Sequence, residues 1–320
     1  MHIGVRLLQD SVRSELAARE TFVLHMSRTF SPKQVATAIG VSESSLKRWC
    51  DRGLIRMEKT AGGHRRLSLE SITAFIREQG QSITHPELLG FPVATGQTER
   101  SLDAARTCLL EGFLQADEPL CRTIILDLHL AGHSAATICD QVITAVFHDI
   151  GDLWERNQVE VYQERQACEL GIRGVHELRH LIPTVPQDRP LALGGTLDGD
   201  PYTLAVTMAE VVLKEAGWNA RSMGHMLPFE TIRSAVERHR PGLLWLSISS
   251  IRSEDRFCDE MHRLFELANA CGTAVVLGGR ALLPEIRRRL RYTTYCDTYQ
   301  HLADFSRMLL ADINVKQQPQ

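Results

Sequence analysis

The 320-residue chain carries eight cysteines but no Cys-x-x-Cys pair. That scatter gives neither a disulfide framework nor a zinc-site spacing, and it fits a reducing, cytoplasmic setting. No apolar run approaches the ~18 residues that a membrane span needs. The opening stretch MHIGVRLLQDSVRSE turns polar too soon for a secretory signal, so no membrane association is expected. A positive excess is lacking too. The formal net charge is −3, so any surface for nucleic acid has to be a local patch. No Ser-His-Asp set, metal cluster or phosphate-cradling loop is legible, and no catalysis is expected. His176 and His180 stand four apart, which puts both on one helix face. No third ligand lies nearby, so they read as surface residues and no metal site is expected.

What is present divides the chain into segments of different texture. Residues 1–28 have a loose apolar stripe (Leu16, Phe22, Val23, Met26) and read as an extra helix. Residues 29–79 read as helix, turn, helix, hairpin, helix. Residues 80–98 contain Gly, Pro, Ser and Thr without a sustained period and read as a linker. From 99 to 183 the pattern is helical with breaks near Asp117, Gly132-His133 and Gln158, which predicts a four-helix bundle. A short linker, PTVPQDRP, follows at 183–190. Over 191–312 the strand-like runs LALGGTL, NARSMG, GLLWLSIS, TAVVLGG and TTYCDT alternate with helical stretches, including 201–216, 254–270 and 299–311. Such alternation predicts a parallel sheet wrapped by helices. The tail 313–320 reads as disordered. The expected fold class is thus multi-domain, α and α/β.

The strongest local signal lies in FSPKQVATAIGVSESSLKRWCDRGLIRMEKTAGGHRRLSLESITAFI. Ser31 is placed to cap a helix, with Pro32 at its first position and Gln34 completing a capping box. Val35, Ala36 and Ile39 form an inner face, and Gly40 supplies the turn. Ser42 caps a second helix that points Leu46 and Trp49 inward and Ser44, Ser45, Lys47 and Arg48 outward. Short polar and basic residues near the start of a second helix suit entry into the major groove. After the Gly62-Gly63 turn, His64, Arg65 and Arg66 make a basic hairpin suited to phosphates. Between 43 and 66, seven Lys/Arg stand against three Asp/Glu, a net +4 on an acidic chain. That is the local basic footprint a DNA-binding surface requires.

These residues resemble the winged helix-turn-helix of the MerR family of bacterial regulators. The match runs through VATAIGVSESSLKRW, DRGLI and GGHRR. It implies Ser45, Lys47 and Arg48 at a double-stranded DNA operator and His64, Arg65 and Arg66 in the wing. No coiled-coil heptad run follows, so assembly into a dimer or tetramer is expected to use other surfaces.

The stretch IGDLWERNQVEVYQER, with Trp154 and Glu164 ten positions apart, resembles the helical cap of cobalamin-binding proteins. In the resemblance a Glu-His pair follows the Trp, and here Arg165 stands in place of the His. In an open parallel sheet of flavodoxin-like (Rossmann-like) order, ligands bind beyond the strand carboxyl ends where the winding reverses. Three segments fall there: the loop around Asp200 and Tyr202, Ser247 and Ser249 after the third strand, and Gly278-Gly279 after the fourth. They resemble the Asp-x-His-x-x-Gly loop, the Ser-rich stretch and the Gly-Gly of corrinoid proteins. Asp200 takes the Asp position, Tyr202 the His and Ala205 the Gly. The whole order resembles regulators of the CarA/CarH type.

The departures shape the cofactor expectation. The resemblance implies an imidazole on cobalt, a good pairing for a borderline transition metal. A phenol, with an ordinary pKa of about 10, must first lose its proton. Asp200 and Pro201 also read as an N-cap and first helical residue, so that the loop starts a helix at once. The leading expectation is therefore a degenerate pocket with Tyr202 as filler, no cofactor, and a role in oligomerisation or cofactor-independent regulation. The alternatives are cobalamin held in an atypical mode, or another tetrapyrrole or small ligand in a ligand or light sensor.

Overall fold

The computed structural model describes residues 29–60, 62–96 and 101–317. The expected helix within 1–28 lies outside the described residues. The chain forms two compact units, one ending at Gly96 and the other beginning at Gln97.

In the first unit, β1 (Thr29–Phe30) leads into α1 (Pro32–Ala38), α2 (Glu43–Asp51), the hairpin β2 (Glu58–Lys59) and β3 (Arg65–Ser68), and α3 (Leu69–Gln79). The three strands pair antiparallel in the order β1-β3-β2. Ser31 Oγ accepts the Gln34 N–H at 3.3 Å, and Gln34 Oε1 accepts the Ser31 N–H at 3.0 Å, so the capping box is closed in both directions. Ser42 Oγ caps α2 by accepting the Ser45 N–H at 3.1 Å. Val35, Ala38, Leu46, Ile55, Leu67, Ile72 and Ile76 are buried and form the core. Trp49 is half-buried and packs on Phe75 with ring centroids 5.1 Å apart.

The segment read as a linker is folded onto this unit. Pro86–Leu89 forms a 3₁₀ turn, and Ile83, Leu89 and Phe91 are buried. The Thr84 and His85 N–H groups donate to Ala38 O at 2.8 and 3.0 Å. Gly40, at φ 70°, makes the turn between α1 and α2, and a Cβ there would lie 2.5 Å from Thr84 Oγ1. The turn and the close approach both require glycine.

The second unit joins bundle and sheet. Its helices are α4 (Leu102–Gln115), α5 (Glu118–Leu130), a long third rod and α8 (Val161–Leu181). The third rod runs through α6 (Ala135–Thr137), a π-helical stretch (Ile138–Thr144) and α7 (Ala145–Glu155). Breaks fall where Asp117, Gly132-His133 and Gln158 interrupt the apolar period. The π stretch was not legible.

The sheet follows in the sequence β4 (Leu191–Thr196), α9 (Leu204–Glu215), β5 (Asn219–Ser222), α10 (Phe229–His239), β6 (Leu243–Ser247), α11 (Glu254–Ala270), β7 (Ala274–Gly278), α12 (Pro284–Arg287), β8 (Thr294–Tyr295) and α13 (Tyr299–Gln317). All five strands are parallel, in the order β5-β4-β6-β7-β8. Strand residues alternate between two cores. Ala192, Leu243, Trp245 and Val276 share one core with the bundle residues Leu109, Phe113, Val142 and Ile150. Leu193, Leu244, Leu246 and Val275 face Ile232, Val236, Met261 and Leu264. Bundle and sheet therefore form one unit rather than two separable domains.

Two sequence expectations are corrected. The helix expected over 201–216 begins at Leu204, three residues past Pro201. The helix expected to end at 311 continues to Gln317, so most of the predicted tail is helical and only 318–320 fall outside the described residues. Among the described residues, no helix is long and apolar enough to cross a membrane.

Candidate functional site

In the first unit, Ser44, Lys47 and Arg48 are exposed on α2 and Ser45 is half-buried beside them. Lys47 Nζ lies 2.7 Å from Glu43 Oε1, and that ammonium holds the Glu43 carboxyl below the usual carboxylate range. In the wing, Arg65 reaches back to Asp51 Oδ1 at 2.7 Å and donates to Lys47 O at 3.5 Å. Arg65 thus ties the hairpin to the second helix. Arg48 and Arg66 have no carboxylate partner among the described residues, and His64 is exposed at the hairpin tip.

In the second unit, a cavity of about 660 Å³ opens between the bundle and the carboxyl ends of the strands. It lies at the point where β4 and β6 diverge in winding, as expected for an open α/β sheet. Its wall includes Trp154, Glu164 and Arg165 from the bundle, Tyr202 and Ala205 from the first loop and helix, and Ser247, Ser249, Gly278 and Gly279 from the later strand ends. Nine of the ten residues singled out in the sequence for a pocket thus meet at one cavity. Trp154 is 51% exposed there rather than sealed in the bundle core.

The tenth, Asp200, is fully buried behind the wall. Its carboxylate accepts the Ser249 N–H and, at 3.2 Å, the Tyr202 N–H. Its carbonyl accepts the Thr196 hydroxyl at 2.6 Å. The reading of Asp200 as N-cap and Pro201 as first helical residue is therefore wrong. The carboxylate bonds to the chain just past the end of another strand, and residues 201–203 lie outside the helix, with Thr203 as the N-cap of α9. The helix starts after Thr203, without a side-chain cap.

Gly279, at φ 115°, lets the loop after β7 approach the chain after β6. A Cβ there would sit 2.3 Å from Ile248 O. Ala205 accepts the Tyr299 hydroxyl at its carbonyl, 3.1 Å away, which ties α13 to the first turn of α9. Burial pushes the Tyr299 phenol well up, so it stays a donor. Asp140, in the π stretch, accepts the Tyr299 and Gln300 N–H groups at 2.8 Å each and caps α13. The irregular helix therefore anchors one wall of the cavity.

Several wall residues escaped sequence reading. Trp245, in the run GLLWLSIS, is buried and also lines the cavity, and its indole Nε1 has no acceptor among the described residues. Arg280, directly after Gly279, lines the mouth and stacks over Tyr202 at 5.1 Å. Arg165 lies over the same ring at 5.2 Å. Among the described residues, His148 is the one imidazole on the wall, and it belongs to the bundle side. His176 and His180 are exposed on α8, and no group of three metal-ligating side chains occurs among the described residues. The loop position where an imidazole would meet a corrin metal offers Tyr202 between two guanidiniums. That donor set does not fit ligation from this loop.

These features define a class: a helix-turn-helix protein joined to a B12-binding type of bundle and sheet. A helix-turn-helix domain model matches residues 29–80, and a B12 binding domain model matches residues 106–179. The chain is similar to the HTH-type transcriptional repressor CarH of Myxococcus xanthus, with 24% identity over 272 residues, covering 79% of this chain and 90% of that one. In domain order and sequence the chain is CarH-like. Its second unit shares its fold with a monomethylamine corrinoid protein of Methanosarcina barkeri, at a TM-score of 0.56 and 15% identity, covering 65% of this chain and 100% of that one.

Proposed function

We propose that this chain is a DNA-binding transcriptional regulator of the CarH type in which the ligand cavity is kept and the loop's metal ligand is not. The observation that carries the DNA-binding half is the coincidence of a capped second helix and a basic hairpin on an otherwise acidic chain. In this reading Ser44, Ser45 and Arg48 face base edges. Lys47, His64 and Arg66 face phosphates, and Arg65, tied to Asp51, holds the wing in place for them. The partner is a double-stranded operator, bound by two or more copies of the chain. Regulation then follows from a ligand in the second unit rather than from catalysis.

The non-helical loop at 201–203 and the open cavity support a ligand-receiving role over a purely structural one. A second reading, cobalamin bound without a ligand from this loop, is favoured by the same non-helical loop and by the B12 binding domain match.

The test is a selection of bound duplexes from a random pool, with wild type and Arg48→Glu/Arg66→Glu in parallel. The proposal expects one enriched sequence for wild type and none for the variant. Enrichment of nothing by wild type would overturn it. Repeating the binding with adenosylcobalamin, in dark and light, separates the two readings. A cofactor-dependent tetramer on the operator would favour the second.

A further inference from the structure

The mouth of the cavity carries a charge arrangement that the helix-turn-helix and the fold do not account for. Arg165 comes from the bundle and Arg280 from the loop after β7, and both lie within about 5 Å of the Tyr202 ring. Two guanidiniums over one ring are drawn to its π face but repel each other. The acids on the same wall are already engaged. Glu164 lies 3.4 Å from Arg165 and accepts the Cys168 thiol at 3.6 Å, while Asp297 lies 3.9 Å from Arg287. Arg280 has no carboxylate partner among the described residues. A planar guanidinium in that position is suited to fork onto a carboxylate or phosphate.

Behind this mouth the wall is mostly apolar, with Phe147, Leu204 and Met208 among its residues. It also holds two buried polar atoms with no partner among the described residues, Trp245 Nε1 and Thr144 Oγ1. Buried donors without acceptors are uncommon in native folds and call for one. A mostly apolar cavity with a few convergent polar groups is the usual form of a small-molecule site.

We infer that the cavity binds an organic anion, with its acid group between Arg165 and Arg280 and its apolar body inside, offering an acceptor to the Trp245 indole. This rests on the reading of the second unit as ligand-receiving. It deepens that reading by naming the ligand class.

The test compares two fluorescent probes on the full chain: 1-anilinonaphthalene-8-sulfonate, and neutral N-phenyl-1-naphthylamine, which lacks the acid. The anionic probe should bind at least about tenfold more tightly, as expected for a charge-assisted fork. Arg165→Gln/Arg280→Gln should remove that preference while leaving the neutral probe unchanged. Both arginines are exposed, so the variant should melt at the wild-type temperature. Benzoate and phenyl phosphate, as competitors, identify the acid: displacement by either supports the site and names its preferred group. Equal binding of the two probes, an unchanged preference in the double variant, or displacement by neither competitor would overturn the inference. Duplex selection uses the first unit. A chain that selects a duplex yet ignores the anions overturns this inference alone.

Discussion

Gly194 lies on β4 directly opposite Trp245 on β6, in the middle of the sheet. A Cβ on Gly194 would sit 2.0 Å from Trp245 Cδ2, 2.1 Å from Cε2 and 2.5 Å from Cγ. Carbon atoms in good contact stand about 3.5–4 Å apart. The indole therefore has to withdraw by roughly 1.5 Å or more, and Trp245 is only 2% exposed. At an open strand position, Gly→Ala would stabilise by about 0.5–1 kcal/mol through backbone entropy. Here overpacking, about 1–3 kcal/mol, sets the opposite sign. Gly194→Ala should lower the melting temperature of the second unit by about 2–12 °C, at roughly 2–4 °C per kcal/mol for a unit of this size. Trp245→Leu makes room for the methyl, so the double variant should recover part of the loss, with a coupling of at least about 1 kcal/mol in a double-mutant cycle. Urea unfolding followed by circular dichroism measures all four corners. A Gly194→Ala protein as stable as wild type, or effects that simply add, would refute the claim that the indole lies flat on this glycine.

Other perturbations follow from the same geometry. Asp200→Ala removes the acceptor for two backbone N–H groups, and leaving them unmatched should cost about 1–3 kcal/mol each. Asp200→Asn, which keeps an acceptor oxygen, should lose less, and thermal melts of the pair check the order. The thiol of Cys168 is pushed up to about 12, first by burial and then by the Glu164 carboxylate. At pH 8 almost none is thiolate, so iodoacetamide should label the exposed Cys108 well before Cys168. Peptide mass mapping over time measures this, and faster labelling of Cys168 would contradict the buried environment. Glu210 is buried and paired with Arg179 at 3.3 Å and Lys214 at 3.0 Å. Removing a partner of a buried charge costs about 3–5 kcal/mol where no other counterion remains. Since Lys214 stays, Arg179→Met should destabilise by less than that, measurable by urea unfolding.

The parts of the fold written in local chemistry were legible. Ser31, Gln34, Gly40 and Ser42 specify caps and a turn from their own neighbours, and the helix-turn-helix follows from them. The strand runs and helical breaks of the second unit likewise reflect period and punctuation. What was missed depends on distant partners. Asp200-Pro201 has the local form of a helix start, but the carboxylate bonds to Ser249, 49 positions away, and the helix begins only at Leu204. Ile83, Leu89 and Phe91 have no period to announce them, yet the segment packs on α1 and they are buried. The π stretch carries no sequence mark, and its Asp140 finds its use only at Tyr299, 159 positions on. The cavity residues were found through resemblance, while Arg280 and Trp245 emerged only when the loop and the strand were placed in space. The expected cofactor loss drew on the false helix start. Without it, that expectation rests on the substitutions at Tyr202, Ala205 and Arg165.

The claim that the first unit grips duplex DNA through its unpaired arginines has a direct measurement: the salt dependence of affinity for the selected duplex. Each phosphate neutralised on B-DNA steepens log K against log salt by about 0.9. Arg66 on the wing has no carboxylate partner to leave among the described residues, whereas Arg65 is tied to Asp51. Arg66→Gln should therefore flatten the slope by about one unit per bound subunit, and Arg65→Gln should weaken binding chiefly by loosening the hairpin. A wild-type slope near zero, or one that Arg66→Gln leaves unchanged, would contradict it.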